Sequence, residues 1–158
     1  MIIYDKKKSY FLYSIIAINI FVYFLTCIYS NSILTINNDI LADWGALIYG
    51  INIEKQLWRL IVYQFLHADI WHLLLNMLIL YIIGISILAY VNRNFFIISY
   101  IFSGIIASVC SIVFSPHLIT VGSSGSILGV FGLYYILLYN HYRQDNSRNK
   151  ELVNKLII

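Results

Sequence analysis

Two short runs in this chain hold the residue types that acyl transfer needs. His72 and Asn76 stand four apart in His72-Leu-Leu-Leu-Asn76, and a helix puts such residues on one face, one turn apart. The second run is Gly122-Ser123-Ser124-Gly125, which opens another apolar stretch. A serine hydroxyl attacks a carbonyl once a base takes its proton, and imidazole and amide N–H groups can hold the oxyanion that results. Each run also has a plainer meaning. His72 fits a membrane interface, Asn76 an interhelical hydrogen bond, and Gly125 with Gly129 a small-xxx-small packing face. The soluble hydrolase elbow, G-x-S-x-G, is not matched, because position 126 is Ser.

The elements that must position these runs are membrane helices. Of the 158 residues, 61% are apolar and 11% charged, too few charges to cover a water-soluble surface. Four segments, at about 10–29, 70–91, 94–114 and 121–140, are each long enough to cross a hydrocarbon core of roughly 30 Å as a helix. An isolated strand would leave its backbone unpaired in lipid, so an all-α polytopic membrane protein is expected. The first segment follows Lys6, Lys7 and Lys8, but it is too long for a signal peptide and no small-residue cleavage site follows it. It is read as a retained helix.

Four crossings put both termini on one side. That side holds Lys6, Lys7, Lys8, Arg93, Arg143, Arg148, Lys150 and Lys155, against Lys55 and Arg59 on the other. Cytoplasmic termini are therefore expected, and the net charge of +3 reflects topology and lipid headgroups rather than nucleic acid. Residues 30–69 form a long outer loop. Trp44, Tyr49, Trp58 and Tyr63 suit it to the interface as short, half-buried helices. The short links near Asn92-Arg93 and at 115–120 make the last three helices antiparallel neighbours. The second and fourth segments then run the same way, which puts His72, Asn76 and Ser124 at similar depth. Cys27 and Cys110 have no metal-ligand spacing around them, and no metal or cofactor is expected.

Five signals occur in order: Trp44-Gly45-Ala46, Trp58-Arg59-Leu60, Phe65-Leu66-His67, His72-x-x-x-Asn76 and Gly122-Ser123-Ser124-Gly125. In order and spacing the stretch from about 42 to 140 resembles the rhomboid family of intramembrane serine proteases. The resemblance implies Ser124 as nucleophile. It implies His72 and Asn76 as oxyanion-hole donors, completed by backbone N–H groups near Ser123 and Ser124. Gly122 and Gly125 are then the motif glycines, and Trp58 and Arg59 a structural pair of the first loop. The family's base histidine, in His-x-x-Gly on a sixth helix, has no counterpart within these 158 residues. Leu88 stands where the family often has Glu, and Leu128 where it often has an aromatic residue. His141 is seventeen residues beyond Ser124, roughly 25 Å along one helix, and His67 and His117 fall in outer loops.

The expectation is a single rhomboid-like domain over 1–158, a partial bundle of about four helices incomplete at its C-terminus. Its function would be cleavage of transmembrane segments of membrane proteins in a bacterial-type plasma membrane. This chain alone would be inactive, and a second fragment carrying the missing helices is a candidate partner. The alternative is a pseudoprotease that binds transmembrane helices without cutting them.

Overall fold

A computed structural model describes the backbone at residues 6–50, 52–114 and 119–156, and side chains between residues 9 and 144. Six α-helices occur in the order α1 (Lys6–Ser30), α2 (Asn38–Trp44), α3 (Arg59–Val62), α4 (Ile70–Leu88), α5 (Arg93–Phe114) and α6 (Ser124–Leu156). Single 3₁₀ turns at Ile53–Lys55 and Tyr63–Phe65 flank α3. No strand is present among the described residues; two isolated bridges, Thr35 with Asp69 and Leu47 with Thr120, are the only extended pairings there.

Among the described residues, three helices are long and apolar enough to cross a membrane: α1 over Ser9–Ser30, α4 and α5. The expected fourth crossing lies in α6, which falls short by composition. It opens on Ser124, Gly125 and Ser126, and it turns polar from Asn140 onward. Two boundaries also differ from expectation. The second segment ends as α4 at Leu88 rather than 91, because the chain turns there so that Asn92 can cap α5 with its side-chain oxygen on the Phe95 N–H, 2.9 Å. The polar stretch after 140 stays helical to Leu156.

α4, α5 and α6 pack as neighbours, and α1 covers α4. Small residues set the approach of α5 to α6. A Cβ at Gly125 would lie 2.3 Å from Ala107 Cβ, and one at Gly129 2.2 Å from Ser103 Cβ. In lipid no hydrophobic gain separates helix from acyl chain, so close backbone packing holds such a pair. Ala107 lies about 10 Å, seven residues, before the end of α5 at Phe114. α6 therefore starts inside the bundle rather than at its surface. The core beneath is aliphatic and aromatic, with Leu12, Leu80, Ile87, Phe96 and Val130 fully buried.

The loop of residues 31–69 is tied down by hydrogen bonds. Gly45, at φ +115°, ends α2 in a left-handed cap, and its N–H donates to the Ala42 carbonyl. Ala46 N–H reaches back to Leu41 O at 2.9 Å, the paired bonds that close a helix of this kind. Leu47 and Thr120 exchange two backbone bonds, 3.0 and 2.9 Å. Ile36 N–H donates to Ala68 O and Ile70 N–H to Leu34 O, 2.8 and 3.1 Å. Asp69 then caps α4, accepting from His72 N–H at 2.8 Å.

The α5–α6 contact makes a graded prediction. Gly129→Ala should destabilise the bundle by about 1–3 kcal/mol, since Ser103 Cβ cannot rotate away from the added methyl. Gly132→Ala meets no atom within 4 Å and should be neutral or slightly stabilising through helix propensity. Unfolding in mixed micelles distinguishes them; equal effects at the two positions would contradict this packing.

Candidate active site

The site is built where the loop, the start of α4 and the start of α6 meet. Gly122 sits at φ +109°, and a Cβ there would lie 2.6 Å from both Cε1 and Nε2 of His72. Glycine is required twice over at this position, by its left-handed backbone and by the imidazole pressed on its Cα. The Gly122 N–H donates to Tyr63 O at 3.0 Å. The structure thus brings His72 directly onto the Gly122-Ser123-Ser124-Gly125 turn.

Asn76 lies one turn below His72 and is 6% exposed. One amide N–H donates to the His72 carbonyl, 2.9 Å, which leaves its other donor and its oxygen for a different partner. Asn76 and Ser124 line one open groove of about 360 Å³ between α4 and α6. Below these two polar residues the groove is walled by Ile79, Ile83, Ile127, Leu128 and Phe131. Ser124 is the first residue of α6 and is exposed. The N–H groups of a first helical turn have no carbonyl within their own helix, and the helix dipole favours an anion there. Ser123 is buried, and its side chain is outside the groove. Gly125 packs on Ala107.

Trp58 and Arg59 lie behind this front. Arg59 is buried, and its Nη1 donates to Ala42 O at 2.6 Å and Ala46 O at 2.8 Å. Its Nε donates to Gln56 Oε1. The guanidinium stacks 4.7 Å from the centroid of the Trp58 ring, which itself lies against the Cα of Gly45. Burial pulls the Arg59 pKa below its ordinary value, opposed by Asp43.

The histidines divide by location. His67 is fully buried with both ring nitrogens unpaired, and its ring meets that of His72 edge-on, centroids 5.1 Å apart. Burial first, then the neighbouring His72, lowers its pKa to about 3, so it is neutral in the physiological range. His141 meets Tyr90 edge-on midway along α6, far from Ser124. His117 lies outside the described residues. Ser124 Oγ makes no hydrogen bond to any described residue, and no three metal-ligating side chains gather among them.

Two polar residues near the site, Gln64 and Asn19, went unread in the sequence, and Tyr63, expected as an interface aromatic, is instead buried. Gln64 is fully buried and accepts from Ser126 Oγ at 2.7 Å. The Tyr63 hydroxyl donates to Gly104 O at 2.7 Å, and burial raises its pKa to about 12. Asn19, the lone amide inside α1, is fully buried. A polar residue inside an apolar span was the available signal for Asn19. Gln64 and Tyr63 sit in a loop, where polarity says nothing.

The Rhomboid domain profile matches residues 54–158. The chain is 33% identical over 139 residues to rhomboid protease GluP of Bacillus subtilis, covering 87% of this chain and 27% of that protein. It is 30% identical over 134 residues to RHOMBOID-like protein 7 of Arabidopsis thaliana, 82% of this chain and 42% of the relative. Rhomboid-like protease 3 of Toxoplasma gondii is 30% identical over 113 residues, 72% and 43%. The chain thus spans less than half the length of these relatives, and nothing in them supports a second fragment as its partner. No solved structure matches significantly. The matched profile, the identities and the three apolar helices make this chain an integral membrane protein of the rhomboid family.

Proposed function

We propose that this chain carries the nucleophile and oxyanion machinery of an intramembrane serine endopeptidase acting on transmembrane segments of other membrane proteins. Ser124 is the nucleophile. His72, Asn76 and the backbone N–H groups near Ser123 and Ser124 receive the oxyanion. The supporting observation is the shared groove of Asn76 and Ser124, with His72 packed on Gly122 of the same serine turn. The groove's aliphatic walls suit an apolar helix that unwinds near Ser124, where the exposed hydroxyl meets its carbonyl. We assign residues 1–158 to one rhomboid-like domain, with the motif-bearing part at about 42–140.

A second reading has its own support. Ser124 Oγ has no base among the described residues, and a serine without one is a weak nucleophile. A non-catalytic protein that binds transmembrane helices in the same groove is consistent with that. Leu128, which lines the groove and is 67% exposed, has no ring to stack on a histidine.

General-base help is worth roughly 10² to 10⁴ in rate. The 158-residue chain should therefore label weakly with a fluorophosphonate, and Ser124→Ala should remove whatever labelling remains. Strong labelling that depends on Ser124 would show a base that this account lacks, with His67 and His117 the first to substitute.

Both termini are proposed to be cytoplasmic, on the eight-to-two distribution of Lys and Arg. A cysteine at position 55 should react with a membrane-impermeant maleimide in intact cells, and one at position 148 should not. Reversed labelling would overturn the topology.

A further inference from the structure

Three polar side chains meet, fully buried, behind the residue that precedes the nucleophile. Asn19 comes from the middle of α1, Tyr100 from α5, and Ser123 from the turn that opens α6; each is 0% exposed. The Tyr100 hydroxyl faces the side chains of both Ser123 and Asn19. Yet Asn19 Oδ1, Tyr100 Oη and Ser123 Oγ close no hydrogen bond of normal geometry. The Asn19 amide nitrogen is committed elsewhere, to Ile15 O at 2.8 Å. Two of the three sit in membrane-crossing helices, where an unpaired polar group has no water to turn to. Packing alone does not ask for them. Phe at 100 and Ala at 123 would fill nearly the same space with no polar atom to satisfy.

One order pairs all three of these oxygens. Asn19 Oδ1 can only accept, so the Tyr100 O–H donates to it. Tyr100 Oη then accepts from the Ser123 O–H. A small closure of the three groups completes this two-bond chain. It would add a tether to Ser123 that the backbone does not supply. Gly122 N–H is held by Tyr63 O, and Ser123 O accepts from Ile127 N–H at 2.9 Å. These fix the peptide planes before Gly122 and after Ser123, while the peptide between the two residues, which carries the Ser123 N–H and follows a glycine at φ +109°, is held by neither.

We propose that Tyr100 and Asn19 are positioning residues that anchor the Ser123 hydroxyl from behind and so aim the backbone N–H groups of Ser123 and Ser124 at the oxyanion. This rests on the reading of Ser124 as nucleophile. The Ser at position 123 is then a device of this chain for holding its oxyanion donors, and the amide in α1 reaches the reaction through two other side chains.

A boronic acid tests this without requiring turnover. The serine oxygen adds to boron, the serine proton leaves to buffer, and the resulting tetrahedral boronate anion puts one of its two hydroxyl oxygens among the oxyanion donors. 4-Fluorophenylboronic acid is titrated into the full chain in micelles and followed by ¹⁹F NMR. Tyr100→Phe and Ser123→Ala should each weaken binding roughly tenfold, less than the loss of a whole oxyanion donor. The double variant should bind no more weakly than either single, because both break one chain. Ser123→Thr, which keeps the hydroxyl, should bind like the unchanged protein. Ile87→Ala, a truncation of a fully buried residue in the last turn of α4, just past the contact of Gly84 with Leu12, separates stability from positioning. Wild-type affinity in Tyr100→Phe, additive losses, or an equal loss in Ile87→Ala would overturn the proposal. If Ser123→Ala fails to fold, Tyr100→Phe, which keeps its ring, still decides between these results. Binding that survives Ser124→Ala, or no binding by the unchanged chain, would instead overturn the nucleophile assignment beneath it.

Discussion

The seven-residue helix α2 ends in the left-handed turn at Gly45. Arg59 gathers the chain on both sides of that turn, with hydrogen bonds to Ala42 O in the last helical turn and Ala46 O just past the cap. A guanidinium suits this place because it offers several N–H groups in a fixed plane and a positive charge at the negative end of a helix. Its other face rests on Trp58, and Trp58 in turn needs Gly45, since a side chain there would strike its ring. Trp44-Gly45-Ala46 and Trp58-Arg59 are thus two halves of one knot, separated by a dozen residues of loop.

The site depends on that knot through the backbone. Ala46 leads to Leu47, whose paired bonds to Thr120 fix the segment that enters the serine turn. Arg59 leads to Tyr63, whose carbonyl accepts from the Gly122 N–H and whose hydroxyl donates to Gly104 O. Asp69 sets the first turn of α4, and with it the height of His72. From below, Gly125 and Gly129 let α6 approach α5 closely enough to bring Ser124 beside Asn76. Removing Arg59 would leave the buried Ala46 carbonyl without this partner, at a cost of about 1–3 kcal/mol.

Much of this was legible in the sequence. The apolar segments gave the helices, because length and lack of charge leave few alternatives in a bilayer. The i, i+4 spacing of His72 and Asn76 gave their shared face, and the running direction of two helices gave their common depth with Ser124. The small-residue reading of Gly125 and Gly129 also holds beside the chemical one. The loop's internal pairing was not legible. The Leu47–Thr120 bridge uses only backbone groups, which every residue carries, so nothing in either side chain announces the partner. Helix ends were less certain as well: α4 stops early for the sake of a cap by Asn92, and α6 continues where polarity alone suggested a tail. Gln64 and Tyr100 gave no warning, since loop glutamines and membrane tyrosines are ordinary.

Amide hydrogen exchange, read by NMR on the chain in micelles, tests whether the outer loop holds the serine turn. The amides of Leu47, Thr120 and Gly122 should be strongly protected, and in Arg59→Met all three should lose protection together while the middle of α5 keeps its own. Gly122 protection that is unchanged in Arg59→Met would show that the turn stands without the knot, and would contradict this account of how the site is held.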